Sequence, residues 1–443
     1  MELLVFVDQI TPRLKYTFDI ICRFAEINYR LTNDAYQFEQ ADEQHLKLVY
    51  SARYFSKDYA QIYPSDLLME EDLHPFAIDF SDWEGIPVIS FNGEKDILAT
   101  IFYTITLYSE HLSQKRDRHT RVPSSENVLV QMGLHRQLMV PRWSKHLLAW
   151  LAAKYQKTIE FKPPTFRVLP TFDIDNAYAF KHKPLWRKWM ATAKDVTQIN
   201  WKQVQTRWKV VNGLVKDPYD TYDYILKLKE RGFEPLLFWL LGDYGPYDKN
   251  LAHTNPKLQE LIRRMQQHLP IGIHPSYASN DALHKVAVEK LRLEKIAKCS
   301  ITRSRQHFLR VTFPQTFQTL LQSDITADYS LGFADLVGFR SGIASPFPWF
   351  NLKKNRQEAL ILHPFTYMDG TYKDYLKMSV NDAIQDMLAL RKEIQTQGGE
   401  LIAIWHNETI SDAGKWAGWR TLLEETIQPS VEIRDVSTVK KAD

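Results

Sequence analysis

From Arg167 onward the chain repeats one pattern. A short apolar run is followed by a longer amphipathic segment, and then another apolar run begins. The runs are RVLPTFDID (167–175), EPLLFWLLGD (234–243), PIGIHPS (270–276), ITRSRQHFL (301–309), ITADYSL (325–331), ALILHPF (359–365) and ELIAIWHNE (400–408). Their length and content suit buried strands. The segments between them, such as NDALHKVAVEKLRLEKIAKC (280–299) and SVNDAIQDMLALRKEIQTQ (379–397), carry apolar residues at helical spacing. The second opens on Ser379 and Asp382, a capping-box spacing, and stops at Gly398-Gly399. Strand and helix alternating about seven times predict an α/β sheet or a (β/α) barrel. In such barrels chemistry gathers at the C-terminal ends of the strands.

The earlier residues lack this rhythm. LKLVYSA (46–52) and IPVISF (86–91) read as strands, DILATIFYTITLYSEHL (96–112) and SKHLLAWLAAKYQK (144–157) as helices. The stretch KTIEFKPPTFR (157–167), with its Pro-Pro pair, reads as a linker. A chain of 443 residues is longer than one domain usually needs. The expected division is a smaller α/β accessory domain over 1–160 and a second domain over 161–443.

Bulk numbers exclude several classes. A net charge of +3 gives no argument for nucleic acid as a partner. Two cysteines, Cys22 and Cys299, rule out a disulfide scaffold and read as small buried residues. No apolar run approaches the roughly 20 residues needed to span a bilayer. MELLVFVDQITPRL has no basic leader and meets Asp8 early, so no signal peptide and a cytoplasmic location are expected. The 13% of aromatic residues suits large cores and clefts that stack sugars.

Polar residues recur at the ends of the apolar runs: Asp173 and Asp175, Asp243, His274, Arg305 with His307 and Arg310, Asp328, and later Arg340, His363, Asp369 and His406. Each alone has an ordinary reading. The aspartate pair can cap a turn, and His274 can be a satisfied buried histidine. Arg340, in GFRSG, fits a loop salt bridge as well as a ligand approached between two glycines. Together, carboxylates and imidazoles on one rim are what metal-assisted hydrolysis requires. A metal polarises a carbonyl and acidifies water. A carboxylate takes a proton, and an imidazolium returns one to the leaving group. One further stretch, KHKPLWRKWM (181–190), is basic with two tryptophans. It fits peripheral contact with a membrane surface or a lipid-linked glycan, or an amphipathic helix whose tryptophans face a core.

The order TFDID, GIHPS, RQHFLR, WHNE resembles the polysaccharide deacetylases, the metal-dependent N-deacetylases of the carbohydrate esterase family four type, over about residues 165 to 430. The wording DPYDTYDYILKLKERGFEPLLFWLLGDYGPYDKN, IGIHPSYAS, ADYSLGFADLVGFRSGIASPF and MDGTYKDY resembles a Bacteroidetes branch with an extra N-terminal domain, to which SDWEGIPVISF and DILATIFYTITLYSEHL are similar. The resemblance implies a distorted (β/α)7-type barrel preceded by a smaller α/β domain. It implies a hydrolase that removes N-acetyl groups from amino sugars of a polysaccharide or its precursor, with a carbohydrate as partner and a divalent metal, zinc, as cofactor. Carried over residue by residue, Asp173 is the general base, Asp175 and His274 are metal ligands, and His406 is the general acid. Arg310, followed by Pro314, matches the arginine that orients the base. The family's second motif has another histidine four residues on, where this chain has Ala278. Catalytic zinc usually has three protein ligands. The third falls to His307, or to Ser279 or a water. Arg340, Tyr178 and Asp243 are candidate sugar contacts. The gap at Ala278 also leaves a second reading, a degenerate, non-catalytic glycan-binding relative. Glycoside hydrolysis by Asp173 and Asp243 would need the two carboxylates about 5–9 Å apart across a sugar.

Overall fold

The computed structural model describes residues 2–428 other than 26, 43, 198 and 200. Residues 429–443, within the expected second domain, lie outside the described residues. No helix of the described chain is long and apolar enough to cross a membrane.

Three sheets organise the chain. The first is parallel, built from β1 (Glu2–Val7), β2 (Asn28–Thr32), β3 (Leu46–Tyr50) and β4 (Ala60–Ile62) in the order β2-β1-β3-β4. The second is an antiparallel meander of β5 (Ile78–Trp83), β6 (Ile86–Phe91) and β7 (Glu94–Lys95). The third holds β8 (Arg167–Ile174), β9 (Leu236–Trp239), β10 (Ile271–Ile273), β11 (Arg303–Ser304), β12 (Ala327–Asp328), β13 (Phe347–Asn351), β14 (Arg356–Leu362), β15 (Tyr367–Met368) and β16 (Glu400–His406). Its order is β13-β14-β12-β11-β10-β9-β8-β16-β15, and every pair except β13-β14 is parallel.

That order is the cyclic one expected of a (β/α) barrel, but the sheet does not close. Closure would require β14 to pair with β15. The edge of β14 not paired to β12 is taken by antiparallel β13, and β15 is only two residues long. The architecture is therefore a mixed α/β fold around an open, mostly parallel sheet. The apolar runs become strands because burial on both faces favours uninterrupted apolar sequence. In β8 every residue from Pro170 to Ile174 is buried.

One hydrophobic core runs from Leu3 to Ile427, so the first 160 residues are packed into the rest rather than tethered to it. The helix Pro12–Cys22 starts where the Thr11 hydroxyl accepts from the Leu14 N–H, with Pro12 preset for the first turn. It carries Tyr16, whose ring meets Phe350 at 5.0 Å. Arg13 on the same helix is fully buried and donates to the carbonyls of Leu67, Glu71 and Asp72 and to Asn355 Oδ1.

The GFRSG loop packs into this junction. Gly338 sits at φ +128°, and a Cβ there would lie 2.4 Å from the His135 carbonyl oxygen. That oxygen accepts the Phe339 N–H at 2.7 Å. Arg340, expected to contact sugar, is instead buried against Glu110 in a multiply bonded ion pair and donates to the Gly332 carbonyl at 2.8 Å. Glu110 also accepts from Asn127 at 2.8 Å. Removing one partner of a buried pair strands the other charge, which costs about 3–5 kcal/mol. Arg340→Ala is expected to lower the unfolding free energy by that amount. A sugar-contact role would leave the denaturant midpoint near wild type.

Nearby His111 stacks on Phe313 with ring centroids 4.5 Å apart, and its Nε2 is buried without a partner. Burial pulls its pKa down from 6.5 to about 3. Between those values the unfolded chain binds a proton that the folded one refuses. The contribution is thus intact above about pH 6.5 and is lost as pH falls. His111→Phe keeps the stack and removes the titration. Between about pH 7.5 and 5.5, wild type is expected to lose about 1 kcal/mol relative to the variant in urea unfolding. Parallel pH profiles would contradict this assignment.

Candidate metal centre

The strands of the large sheet end on one rim, and the candidate site lies there. In the β8–β16 ladder His406 is paired directly with Asp173. Asp175 follows two residues on, past the end of β8, so the pleat brings it back to the face of Asp173. His274 follows β10 at once, and Pro275 behind it favours extended backbone at the histidine. His307 opens a short turn after β11. Phe308 and Leu309, at φ 57° and 55°, are two successive left-handed residues without glycine, a costly conformation held by its surroundings.

Asp175, His274 and His307 bring one ligand atom each to within 4.8 Å of one another. His274 Nε2 lies 3.2 Å from Asp175 Oδ1, and His307 Nε2 lies 3.3 Å from Asp175 Oδ2. The far ring nitrogens are committed elsewhere. His274 Nδ1 donates to the Arg305 carbonyl, which can only accept. His307 Nδ1 lies 2.8 Å from Asp248 Oδ1. Each Nε2 therefore turns its lone pair on a carboxylate oxygen unless positive charge comes between them. Asp175 Oδ1 is buried with no hydrogen-bond partner. One carboxylate and two imidazoles, oriented from behind by a carbonyl and a second carboxylate, are a donor set for a divalent cation such as zinc. Without a cation, protons fill the role. Burial would lower the His307 pKa, but Asp175 and Asp248 push it up to about 9. Burial would likewise raise Asp175, but His307, His274 and His406 hold it well below the usual carboxylate range.

Two further pairs flank this cluster. Asp173, 3% exposed, accepts from Arg305 Nη1 at 2.9 Å, and His274 Nε2 is 3.7 Å from its other oxygen. Arg305 is fully buried, donates from Nε to the Tyr329 carbonyl and lies over the Phe238 ring. On the other side His406 Nδ1 is 2.8 Å from Asp369 Oδ1, while Asp369 Oδ2 accepts the His406 backbone N–H. Burial would lower the His406 pKa, but Asp369, then Asp175 and Asp173, raise it well above its ordinary value. His406 Nε2 lies 3.7 Å from Asp175 Oδ2.

Six of these residues, Asp173, Asp175, His274, His307, Asp369 and His406, line a cleft of about 280 Å³. Its opposite wall includes Met368, Asp374, Tyr375 and Trp416, and a third wall arrives from the N-terminal part, through Arg118, His119 and Arg121. Arg121 donates to the Phe308 carbonyl at 3.0 Å and to the Tyr375 hydroxyl at 3.0 Å, tying that wall to both others.

The remaining sequence candidates lie elsewhere. Arg310 does not reach Asp173. Its guanidinium is spent on Asp281, Thr120 and the carbonyls of His119 and Tyr277, because the turn after His307 carries it to the N-terminal loop. Arg305, five residues earlier and just past β11, holds Asp173 instead. Asp243 is exposed and paired with Arg292 at 2.9 Å. Tyr178 packs against His182 and Tyr222, away from the cleft lining. At the expected second histidine, the Ala278 N–H donates to Asp248 Oδ2 and the Tyr277 N–H to Oδ1. Sequence reasoning missed Asp248, which sits in a loop with no strand end beside it. It noted Arg305 and Asp369 without giving them a role.

Comparison with known proteins adds the following. Residues 3–156 match the model of DUF7033, a family of unknown function, which covers less than half of the chain. No curated protein matches the chain. Among solved structures, a Mycobacterium smegmatis protein assigned as a polysaccharide deacetylase is 17% identical, with 60% of this chain and 84% of that one covered and a TM-score of 0.39. The polysaccharide deacetylase Bc1974 from Bacillus cereus is 10% identical, with 58% and 84% covered and a TM-score of 0.27. IcaB from Ammonifex degensii is 14% identical, with 38% and 85% covered and a TM-score of 0.23. At such scores these likenesses carry no weight beyond themselves.

Asp248 provides a test of the cluster as a metal centre. Outer partners of ligating histidines usually contribute about 10–100-fold to affinity. Asp248→Asn is expected to weaken zinc binding by that factor in a chelator competition, and His307→Ala to abolish it. Unchanged affinity in His307→Ala would remove His307 from the ligand set.

Proposed function

We propose that this chain is a metal-dependent hydrolase that removes N-acetyl groups from amino sugars of a polysaccharide or its precursor. The observation that carries the reading is the convergence of Asp175, His274 and His307 between a clamped carboxylate, Asp173, and a carboxylate-backed imidazole, His406. Its other support is the motif order TFDID, GIHPS, RQHFLR, WHNE.

Asp175, His274 and His307 would hold the divalent cation, zinc in the simplest case, which when bound supplies a Lewis acid for the amide carbonyl. The chain's own residues divide the proton work. Asp173 accepts a proton from the attacking water. The Arg305 guanidinium engages one of its oxygens and fixes its orientation, which leaves the other oxygen to act as the base. His406 carries the proton for the departing amine, and Asp369 stabilises that imidazolium and sets its Nδ1–H, so Nε2 faces the cleft. The burial of Asp173, His274 and His307 strengthens the interactions they make. In this reading residues 1–160 are an accessory unit whose loop, through His119 and Arg121, completes the cleft.

Asp173→Asn is expected to leave zinc affinity within a few-fold of wild type and to lower acetate release from N-acetylated oligosaccharides by about 10²–10⁴-fold, the usual worth of a general base. Acetate release that survives in this variant contradicts the role of Asp173. Ala278 favours a second reading, a glycan-binding relative without catalysis. Wild-type protein that binds zinc and oligosaccharide but releases no acetate from any N-acetylated glycan would establish that reading instead.

A further inference from the structure

The segment between Lys181 and Lys216 is unlike the rest of the surface. It forms two helices, Leu185–Thr197 and Trp201–Val211, inserted directly after the Asp173/Asp175 strand. All four exposed tryptophans of the described chain are here: Trp186, Trp189, Trp201 and Trp208, at 52–74% exposure. Leu185, Met190, Ile199 and Leu214 are exposed beside them at 62–76%. Large apolar side chains exposed to this degree, and contiguous, mark an interaction surface.

Leu185, Trp189, Trp201 and Trp208 share one face. Leu185, Trp189, Val204, Trp208 and Val211 line a single apolar groove between the two helices. Trp201, Val204 and Trp208 line the adjoining depression, so the two share Val204 and Trp208. The spacing agrees: Leu185 and Trp189 are i and i+4, and Trp201, Val204, Trp208 and Val211 follow one helical stripe.

Charge selects the occupant. Lys181 to Lys216 holds nine Lys or Arg and a single acid, Asp195, in a chain whose net charge is only +3. The rest of the chain is therefore net acidic, and the cationic excess is concentrated beside the tryptophans. Lys202 is exposed and Lys209 half-buried. Tryptophan, leucine and methionine edged by lysine are what lies at the headgroup level of a bilayer. A tryptophan-rich protein interface would be depleted of lysine.

The hairpin is fastened to the rim of the candidate site. Asp217 accepts the backbone N–H groups of Ala179, Phe180 and Lys181 at 2.8–2.9 Å. Arg187 donates to the carbonyls of Lys249 and Asn250. We propose that this helical hairpin is a peripheral docking element for anionic lipid bilayers, laying Trp189, Trp201 and Trp208 into the headgroup region and holding the rim of the large sheet beside the membrane. The inference does not depend on the deacetylase reading, since it rests only on the hairpin's surface.

Co-sedimentation of the full chain with large unilamellar vesicles tests it. Binding is expected with vesicles of phosphatidylcholine carrying about 30% phosphatidylglycerol, weaker with pure phosphatidylcholine, and falling as salt is raised. On binding, tryptophan emission should shift to the blue. The variant W189S/W201S/W208S is expected to lower the partition coefficient by about tenfold or more, since partition scales with buried apolar area. K202E/K209E is expected to lower it on anionic vesicles only. An unchanged unfolding midpoint shows that the variants remain folded. No binding to anionic vesicles at low salt, or equal binding by the tryptophan variant, overturns the proposal. A dimer that dissociates in the tryptophan variant, without vesicle binding, overturns it by assigning the face to a second copy of the chain.

Discussion

Parallel pairing is the constraint on which the site depends. When strands run the same way, their carboxyl ends meet on one edge, and whatever follows each strand is delivered there. The register does the rest. Pairing of His406 with Asp173 across β16 and β8, and of Ile273 with Trp239 across β10 and β9, leaves the residues just beyond each strand at similar height. A one-residue slip would turn Asp173 away from the cleft and replace it with Phe172 or Ile174. The uninterrupted burial of Pro170 to Ile174 makes such a slip costly. The hydrophobic core thus sets the positions of the charges.

Those charges are tolerable only as a set. Asp173, Asp248 and Asp369 are buried, with Asp175 half-buried among them, and isolated buried carboxylates would be protonated. Each has a nitrogen partner within reach: Arg305 for Asp173, His307 for Asp248, His406 for Asp369, and the inward nitrogens of His274 and His307 for Asp175. At position 278 the backbone takes part in the same set: the Ala278 N–H helps hold Asp248, the carboxylate behind His307.

The strand ends were legible in the sequence because each is a short apolar run that stops at a polar residue. That signal put Asp173, Asp175, His274, His307 and His406 on one rim. What depended on direction was not legible. Asp243 and Tyr178 also lie near strand ends, but proximity along the chain does not say which way a side chain turns. Matching an arginine by its distance from a proline selected Arg310, whereas Arg305 is the one still on the sheet face. Closure of the sheet was equally hidden, since it depends on β13 folding back to occupy the edge of β14. The 96–112 run has helical spacing throughout, yet the chain breaks at Leu107, which takes a left-handed conformation between two shorter helices.

The third wall of the cleft has a different origin from its floor. Residues 117–121 come from a part of the chain more than 50 residues before the first catalytic candidate, and they are held by Arg310 and by the bonds of Arg121 to Phe308 and Tyr375. Floor and wall can therefore vary independently. On the proposed hydrolase reading, changes in that loop would alter which molecules enter and in what pose, while the acids and histidines below stay where the sheet puts them. Reaction chemistry and substrate choice would then be written in separate stretches of one polypeptide.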